Sequence, residues 1–222
     1  MQNVESDDYL EALGFVRWLK RDLASSSLDE EREASHSLVR GPLLELATRV
    51  EACRKCSLHS GRRHSVCGEG NPEANWLFVG EAPGAEEDRL GVPFIGRAGQ
   101  LLDAMIIALG LTRTDIYITT VLTCRPPENR DPRGEEVEQC EPYLHEQIQL
   151  INPLIIVALG KFAAQSLLRS SSPIGKLRGI VHSYSPFDIP LIATYHPAYL
   201  LRSPIEKRKV WQDLVLARSL VD

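Results

Sequence analysis

The stretch WLFVGEAPGAEED, from Trp76 to Asp88, decides the fold class of this chain. Its apolar start predicts a buried strand that ends at Gly80, followed by a Gly/Pro turn and a helix rich in Glu and Asp. In α/β proteins ligands bind where a strand passes into such a loop. The glycines allow close approach of a ligand, and Glu81 and Asp88 are carboxylates held at fixed positions there. The stretch therefore predicts an α/β fold with a ligand site at this loop.

Strands and helices are predicted to alternate on both sides of this stretch. Further strands are expected at Ile116–Leu122, Leu154–Ala158 and Leu191–Thr194, and helices from Gly41-Pro42 to Cys53, at Gln100–Ala108, at Glu135–Leu150 with an interruption or start near Pro142, at Lys161–Leu168 and at Ile205–Leu220. Such alternation predicts a parallel sheet with helices on both faces.

The first 40 residues differ from the rest in composition. Helical spacing is present over residues 8–20, and residues 25–37 are a Ser/Glu-rich linker, so we expect an extension over residues 1–40 and a main domain over residues 41–222. The start of the chain is acidic and lacks the basic and apolar parts of a secretion signal, which makes a cytoplasmic location the expectation.

The net charge of −5 gives no general indication of nucleic-acid binding. Residues 1–40 contain nine acidic and five basic residues, so the remainder of the chain carries a balance of only −1. Local basic groups occur around Arg62, Arg130, Arg178 and Lys207. A fold could gather these groups on one face for DNA, or they are scattered surface charge.

Four of the five cysteines have an ordered spacing. Cys53 and Cys56 form a C-x2-C pair, and Cys124 and Cys140 lie 16 positions apart downstream. In a cytosolic protein such thiols stay reduced, and four thiolates suit either a tetrahedral zinc site or a [4Fe–4S] cluster. Buried structural cysteines are the alternative. Cys67 has no partner at a useful spacing.

Four blocks of sequence resemble the family 4 uracil-DNA glycosylases, the iron–sulfur branch of their superfamily. They are GEAPGAEED (Gly80–Asp88), VPFIGRAGQLLD (Val92–Asp103), TCRPPENRDP (Thr123–Pro132) and HPAYLLRSP (His196–Pro204). The resemblance runs from about Cys53 to Asp213. It implies a three-layer α/β/α sandwich with a four-stranded parallel sheet, and a [4Fe–4S] cluster on Cys53, Cys56, Cys124 and Cys140. It also implies a monomer that excises uracil from single- or double-stranded DNA in base excision repair.

The resemblance implies roles for the residues of these blocks. His196 would donate a hydrogen bond to uracil O2, and Glu81 would position or activate water. Phe94 would stack on the flipped base. The other implied substrate contacts are Gly80, Ala82, Pro83, Gly84, Asp88 and Thr120. The implied DNA contacts are Leu200 and Leu201 as an apolar wedge and Arg202 on a phosphate, with helix start and core packing as the alternative for these three residues. Lys176 and Arg178 lie in a loop, Gly175–Arg178, that is a candidate for a second phosphate contact.

Thr120 departs from the family pattern. Members usually carry an Asn four residues before the third cluster cysteine, where this chain has Thr120. An Asn amide pairs with both O4 and N3–H of uracil, whereas a hydroxyl is shorter and lacks the fixed amide geometry. We therefore expect reduced or altered activity, with weaker uracil preference or altered base selection, unless another residue compensates. Two alternatives stay open: an iron–sulfur protein that binds uracil-containing or single-stranded DNA without turnover, and a zinc-stabilised nucleotide-binding module.

Overall fold

The computed structural model describes residues 41–221. The predicted extension over residues 1–40, with its helix and linker, lies outside these residues. The helices are α1 (Pro42–Glu51), α2 (Ala85–Leu90), α3 (Arg97–Ala108), α4 (Gly134–Ile151), α5 (Lys161–Leu168), α6 (Ile174–Leu177), α7 (Pro197–Arg202) and α8 (Lys207–Arg218). The strands are β1 (Glu69–Gly70), β2 (Trp76–Gly80), β3 (Ile116–Thr120), β4 (Ile155–Leu159), β5 (Val181–Tyr184) and β6 (Ile189–Thr194). Short 3-10 turns lie at Ser57–Ser60, Arg113–Asp115, Pro127–Asn129 and Pro204–Glu206.

The strands form one sheet in the order β1-β3-β2-β4-β6-β5. The four central strands are parallel, with Gly80 of β2 level with Thr120 of β3. All residues of β2, β3 and β4 are buried, which explains why these segments are almost continuously apolar instead of alternating. The predicted four-stranded parallel sheet is confirmed as the centre of the fold.

Helices cover both faces of this sheet. Because successive strand residues point to opposite faces, Leu77 and Val79 pack in one core with α1, α4 and α5. Phe78 lies in a second core with α3 and α8 on the other face. The two cores give the three-layer α/β/α sandwich that the resemblance implies.

Two features of the sheet and helices differ from the sequence prediction. The edge strands β1 and β5 are antiparallel to their neighbours and were not predicted, since β1 has two residues and β5 reads VHSY without a clear apolar pattern. Helix α4 runs through Pro142 without a break. The residues on both sides of this proline, Cys140, Tyr143 and Leu144, are buried, so packing compensates for the backbone hydrogen bond that a proline cannot donate.

The carboxyl ends of β2, β3 and β6 lie at the same edge of the sheet, because the strands are parallel. The loops that follow them therefore meet there, as expected for the ligand edge of an α/β sheet. Among residues 41–221, no helix has the length and apolarity that a membrane crossing requires.

Candidate active site

A cavity of about 510 Å³ opens at this edge of the sheet. Its wall comes from the loops after β2, β3 and β6 and from the segment between α2 and α3. It is lined by Val66, Glu81, Ala82, Pro83, Gly84, Glu87, Pro93, Phe94, Ala98, Thr120, Pro126, Asn129, Arg130, His196, Ala198, Tyr199 and Arg202. The structure thus brings together the predicted site residues Glu81, Phe94, Thr120 and His196, which are far apart in sequence.

His196 lies directly after β6 and caps the start of α7. The backbone N–H of Ala198 donates to its Nδ1 at 3.1 Å, so a neutral imidazole carries its proton on Nε2. Burial, and secondarily the charge of Arg202, lower the pKa of His196 from 6.5 to about 4. His196 is therefore a neutral Nε2–H donor at physiological pH.

Phe94 lies beside His196 in a backbone conformation unusual for a bulky residue. Its φ angle is 54°, in the left-handed region, which costs on the order of 1–3 kcal/mol. Its ring centroid lies 5.5 Å from that of His196, at 30° between the planes. A Cβ on Gly80 would lie 2.6 Å from the Phe94 ring, so the ring covers the end of β2 only because position 80 has no side chain. Phe94 thereby forms one flat wall of the cavity.

The carboxylate of Glu81, which lines the cavity, has a strongly raised pKa. Burial, and then the nearby charge of Asp131, raise its pKa from 4.5 to about 7, while Lys161 acts in the opposite direction. A carboxylate with a pKa near neutrality is suited to accept a proton from water.

Thr120 is buried at the end of β3. Its hydroxyl donates to the backbone carbonyl of Leu122 at 2.7 Å. A hydroxyl has a single proton, so the oxygen of Thr120 presents only lone pairs to a molecule in the cavity as long as this bond is made.

The four cysteines of the predicted metal or cluster site come from three segments of the chain. Cys53 and Cys56 follow α1, Cys124 follows β3, and Cys140 lies within α4. Burial raises the pKa of the Cys140 thiol to about 11, and the charges of Cys124 and Cys56 act in the same direction. The charges of Cys124 and Cys53 likewise contribute to the raised pKa of Cys56, after burial. The four thiols therefore lie within electrostatic range of one another.

Polar groups surround these sulfur atoms. Arg62 donates from Nη1 to Cys124 Sγ at 2.9 Å, and the hydroxyl of Thr123 lies 3.8 Å from the sulfurs of both Cys124 and Cys140. Within residues 41–221, no group of three or more His, Cys, Asp or Glu side chains stands ready to hold a metal ion. The donor chemistry, four thiols with an Arg donor beside them, fits an iron–sulfur cluster or a zinc ion, in which the metal's positive charge favours the thiolates.

Comparison with known proteins identifies the family. The model of the uracil DNA glycosylase superfamily matches residues 67–215. The chain is 45% identical over 166 residues to a type-4 uracil-DNA glycosylase of Archaeoglobus fulgidus, covering 72% of this chain and 83% of the relative. It is 42% identical over 190 residues to the type-4 enzyme of Thermotoga maritima, covering 82% and 96%. The chain belongs to the type-4 uracil-DNA glycosylase family. A type-5 uracil-DNA glycosylase of Thermus thermophilus is 32% identical over 152 residues, covering 59% of this chain and 68% of the relative.

Several residues that the resemblance to this family nominated lie away from the cavity. Asp88 is buried and its Oδ1 accepts the backbone N–H of Arg63 at 2.9 Å, so the geometry does not favour a substrate contact. Arg178 binds Asp213 through two nitrogens, at 2.7 and 3.0 Å, which occupies the guanidinium edge expected to hold a phosphate. Lys176 is exposed beside it. Gly80 lies beneath the ring of Phe94, and the ring can occupy this position because Gly80 has no side chain.

The two leucines of the expected apolar wedge differ in exposure. Leu200 is 1% exposed and belongs to the core against α3 and α8, whereas Leu201 is 38% exposed. Ile205, which was not predicted, is 85% exposed three residues beyond Arg202. Helical geometry explains the difference, because adjacent residues of α7 point in different directions.

Other cavity residues were missed although their motifs were recognised. Asn129 and Arg130 belong to the TCRPPENRDP block and Tyr199 to HPAYLLRSP, and all three line the cavity. Glu87 belongs to GEAPGAEED and also lines it. The motif spacing was the available signal, but it does not indicate which side chains of a loop point inward.

Proposed function

We propose that this protein hydrolyses the N-glycosidic bond of uracil in DNA, as a hydrolase of base excision repair. The observation that carries the proposal is His196, a half-buried neutral Nε2–H donor beside the flat face of Phe94. The names of the type-4 relatives support the same activity. The substrate base would have to leave the DNA stack to enter the cavity.

His196 stabilises the departing base. When the bond between C1′ and N1 breaks, its electron pair leaves with uracil, and negative charge develops on O2. A fixed N–H donor that meets this charge stabilises the transition state more than the ground state. A neutral donor is sufficient because its proton is shared with the anion and not transferred.

Glu81 completes hydrolysis on the sugar side. Bond cleavage leaves an oxocarbenium-like sugar, as in other glycoside hydrolyses. The Glu81 carboxylate offsets this positive charge and accepts a proton from the water that adds to C1′. The products are an abasic site and free uracil, which takes up a proton after release.

Phe94 and Thr120 bind the base itself. The ring of Phe94 offers a stacking face. Thr120 ends β3 and His196 follows β6, with β2 and β4 between them, so the two residues stand at opposite ends of the cavity. A base with O2 at His196 would turn its N3–H and O4 edge towards Thr120, whose oxygen accepts a hydrogen bond from N3–H.

DNA outside the cavity is held by charge and by apolar contacts. Arg202 lines the cavity and places positive charge where phosphates pass, whereas the guanidinium of Arg130 is engaged by the buried carboxylate of Glu136. Leu201 and Ile205 are exposed apolar side chains on either side of Arg202 in the sequence, and they would fill the space that the flipped base leaves. Monomeric state and cytoplasmic location remain predictions, as does activity on both single- and double-stranded DNA.

A [4Fe–4S] cluster would be held by Cys53, Cys56, Cys124 and Cys140. It would join the segment after α1 to the loop after β3 and to α4. We assign the cluster a mainly structural role. Pro126, Asn129 and Arg130 follow Cys124 in the chain and line the cavity, so a fixed Cys124 also fixes this wall.

The direct test incubates the protein with oligonucleotides that carry one uracil opposite G, opposite A, or in a single strand, and then cleaves abasic sites with alkali. Strand scission at the uracil position is the expected result. Intact strands in all three contexts would overturn the proposal for uracil.

A binding protein without turnover is the second candidate function. It is favoured by Thr120, whose proton is engaged with Leu122 and whose single oxygen replaces the usual amide. In that case uracil-containing strands would be retained in a binding assay without any abasic site appearing.

Activity is expected to rise with pH through about 7, because Glu81 must be ionised to accept a proton and its pKa is raised to about 7. The Asp131→Asn variant removes a negative neighbour that raises this pKa, so the rising limb should move to lower pH. The measurement is kcat/KM for uracil excision between pH 5 and pH 9. Asp188→Asn, in the turn between β5 and β6, is the control and should leave the limb in place. Superimposable profiles for Asp131→Asn and the unaltered protein would contradict this role of Asp131.

Replacing Thr120 with Asn is expected to raise kcat/KM for uracil by about tenfold, or about 1.4 kcal/mol, in the lower part of the range of about 1–3 kcal/mol that a bidentate base contact contributes. An amide supplies a donor for O4 and an acceptor for N3–H at the same time. The rate is measured on single-stranded uracil oligonucleotides, with cytosine oligonucleotides to check selectivity. Thr120→Ser keeps the hydroxyl and should stay within about twofold of the starting rate. An unchanged rate in Thr120→Asn would show that position 120 does not limit base recognition.

A further inference from the structure

The segment from Pro93 to Gly96 carries the stacking face of the cavity in a strained backbone conformation. Phe94 is held at a φ of 54°. A Cβ on Gly99 would lie 1.7 Å from the carbonyl oxygen of Phe94, so the first turn of α3 packs directly against this backbone. An aromatic residue keeps such a conformation only where its surroundings impose it.

Glu87 holds the segment from the side of α2. Its Oε1 accepts the backbone N–H groups of Ile95 at 3.1 Å and Gly96 at 3.3 Å. Its Oε2 accepts the N–H of Gly84 at 3.1 Å. Gly84 and Gly96 are the N-cap residues of α2 and α3, so a single carboxylate ties the starts of both helices together.

Arg113 holds the same segment from the opposite side. Its Nη2 donates to the carbonyl of Phe94 at 2.6 Å and its Nη1 to that of Pro93 at 3.3 Å. The guanidinium is fixed by Asp103, at 2.6 Å from Nε, and by Glu69, at 3.2 Å from Nη1. A planar guanidinium is suited to this task because its five N–H groups point in fixed directions.

We propose that Glu87 and Arg113 are positioning residues that act through Phe94, fixing its ring as a preformed stacking surface for the flipped base. Glu87 accepts the N–H groups that follow Phe94, and Arg113 binds the carbonyls of Phe94 and of the residue before it. The backbone is thereby fixed on both sides of the strained position. A ring that is already in place loses little conformational freedom when the base binds, and this raises affinity. The role rests on the function proposed above, since it presumes a base in the cavity.

The test is a double-mutant cycle between Glu87 and Phe94 that measures binding and not turnover. The probe is a single-stranded oligonucleotide with one 2′-fluoroarabino-uracil, in which the electron-withdrawing fluorine opposes an oxocarbenium-like sugar and keeps the bond intact. Glu87→Gln leaves a single side-chain oxygen as acceptor, whereas the backbone N–H groups at the starts of α2 and α3 are bound by two. It should raise the Kd about tenfold with Phe94 present and less than about twofold in a Phe94→Ala background. Fluorescence anisotropy gives both ratios.

The matched control is Glu86→Gln, the same substitution one residue earlier on α2. Glu86 is exposed and binds the side chain of Arg89 at 2.8 Å, so its loss should leave the Kd unchanged in both backgrounds. Arg113→Lys is the second test variant, because an ammonium cannot reproduce the fork that holds both carbonyls. Arg113→Lys replaces Glu87→Gln in the double-mutant cycle if circular dichroism shows that Glu87→Gln does not fold.

Equal effects of Glu87→Gln in the two backgrounds would overturn the positioning role, as would a Phe94→Ala variant that binds as tightly as the starting protein. Excision from the cleavable uracil oligonucleotide is measured in parallel. A coupled cycle without excision contradicts the proposed function and supports the positioning role. Excision with an uncoupled cycle supports the function and overturns the positioning role.

Discussion

Replacing His196 with Ala is expected to lower kcat for uracil excision by about 10²–10³-fold, the usual cost of removing one donor from a site that stabilises a developing anion. The half-buried imidazole of His196 lines the cavity with its Nε2–H as donor, and its orientation is fixed by the hydrogen bond from Ala198. The measurement is single-turnover excision from a single-stranded uracil oligonucleotide. KM should change much less than kcat, since the donor acts mainly on charge that develops in the transition state.

The pH dependence separates a neutral donor from a cationic one. With a pKa of about 4, His196 is already neutral at pH 5, so its protonation contributes no change of rate between pH 5 and pH 9. A falling limb near pH 6.5 that disappears in the His196→Ala variant would contradict the neutral form. His182→Ala, on the edge strand β5, is the control and should keep full activity.

Replacing Cys124 with Ser is expected to remove the visible colour of an iron–sulfur protein and to destabilise the fold by about 4 kcal/mol or more, the range typical of losing a metal site. For a chain of this size such a loss lowers the Tm by roughly 10 °C. The reason is that the cluster would tie three separate segments together, and its binding free energy is then part of the folding free energy. Iron and sulfide analysis, the absorption spectrum and thermal unfolding measure the effect.

Cys67 provides the matched control for this experiment. It is buried, and its backbone carbonyl accepts the hydroxyl of Thr119 at 3.1 Å, a contact that a side-chain substitution preserves. Cys67→Ala should therefore keep the colour and lose only about 1 kcal/mol, as expected for a small buried truncation. A colourless protein with one bound zinc per chain would contradict the cluster assignment.

The sequence was sufficient to predict the centre of the fold. Buried parallel strands are continuous apolar runs, so β2, β3, β4 and β6 were predicted within a few residues of their bounds. The helices α3, α4, α5 and α8 followed from apolar spacing. The edge strands were missed because their backbone bonds to a neighbour are formed with little help from apolar side chains, and such pairing leaves no pattern in the sequence.

For the candidate site, the sequence predicted some of the residues that line the cavity but not the direction or the partners of other side chains. Glu81, Phe94, Thr120 and His196 do line one cavity, since each follows or adjoins the carboxyl end of a strand. The ion pair of Arg178 with the buried Asp213 could not be predicted, because a basic residue in a loop looks the same in sequence whether it is paired or not. Leu200 and Leu201 show the same difficulty, as the direction in which adjacent helical residues point depends on how the helix docks.

By itself the sequence of Trp76–Asp88 determined a strand, a glycine loop and an acidic helix, because these depend on local conformational preferences and apolar spacing. Only the tertiary structure decided what its carboxylates do. Glu81 faces the cavity with a raised pKa, Asp88 turns away to bind the backbone of Arg63, and Glu87 joins two helix starts beneath Phe94. The physical reason is that the pKa and the hydrogen-bond partners of a side chain are set by groups distant in sequence, which the packing of the loops brings together.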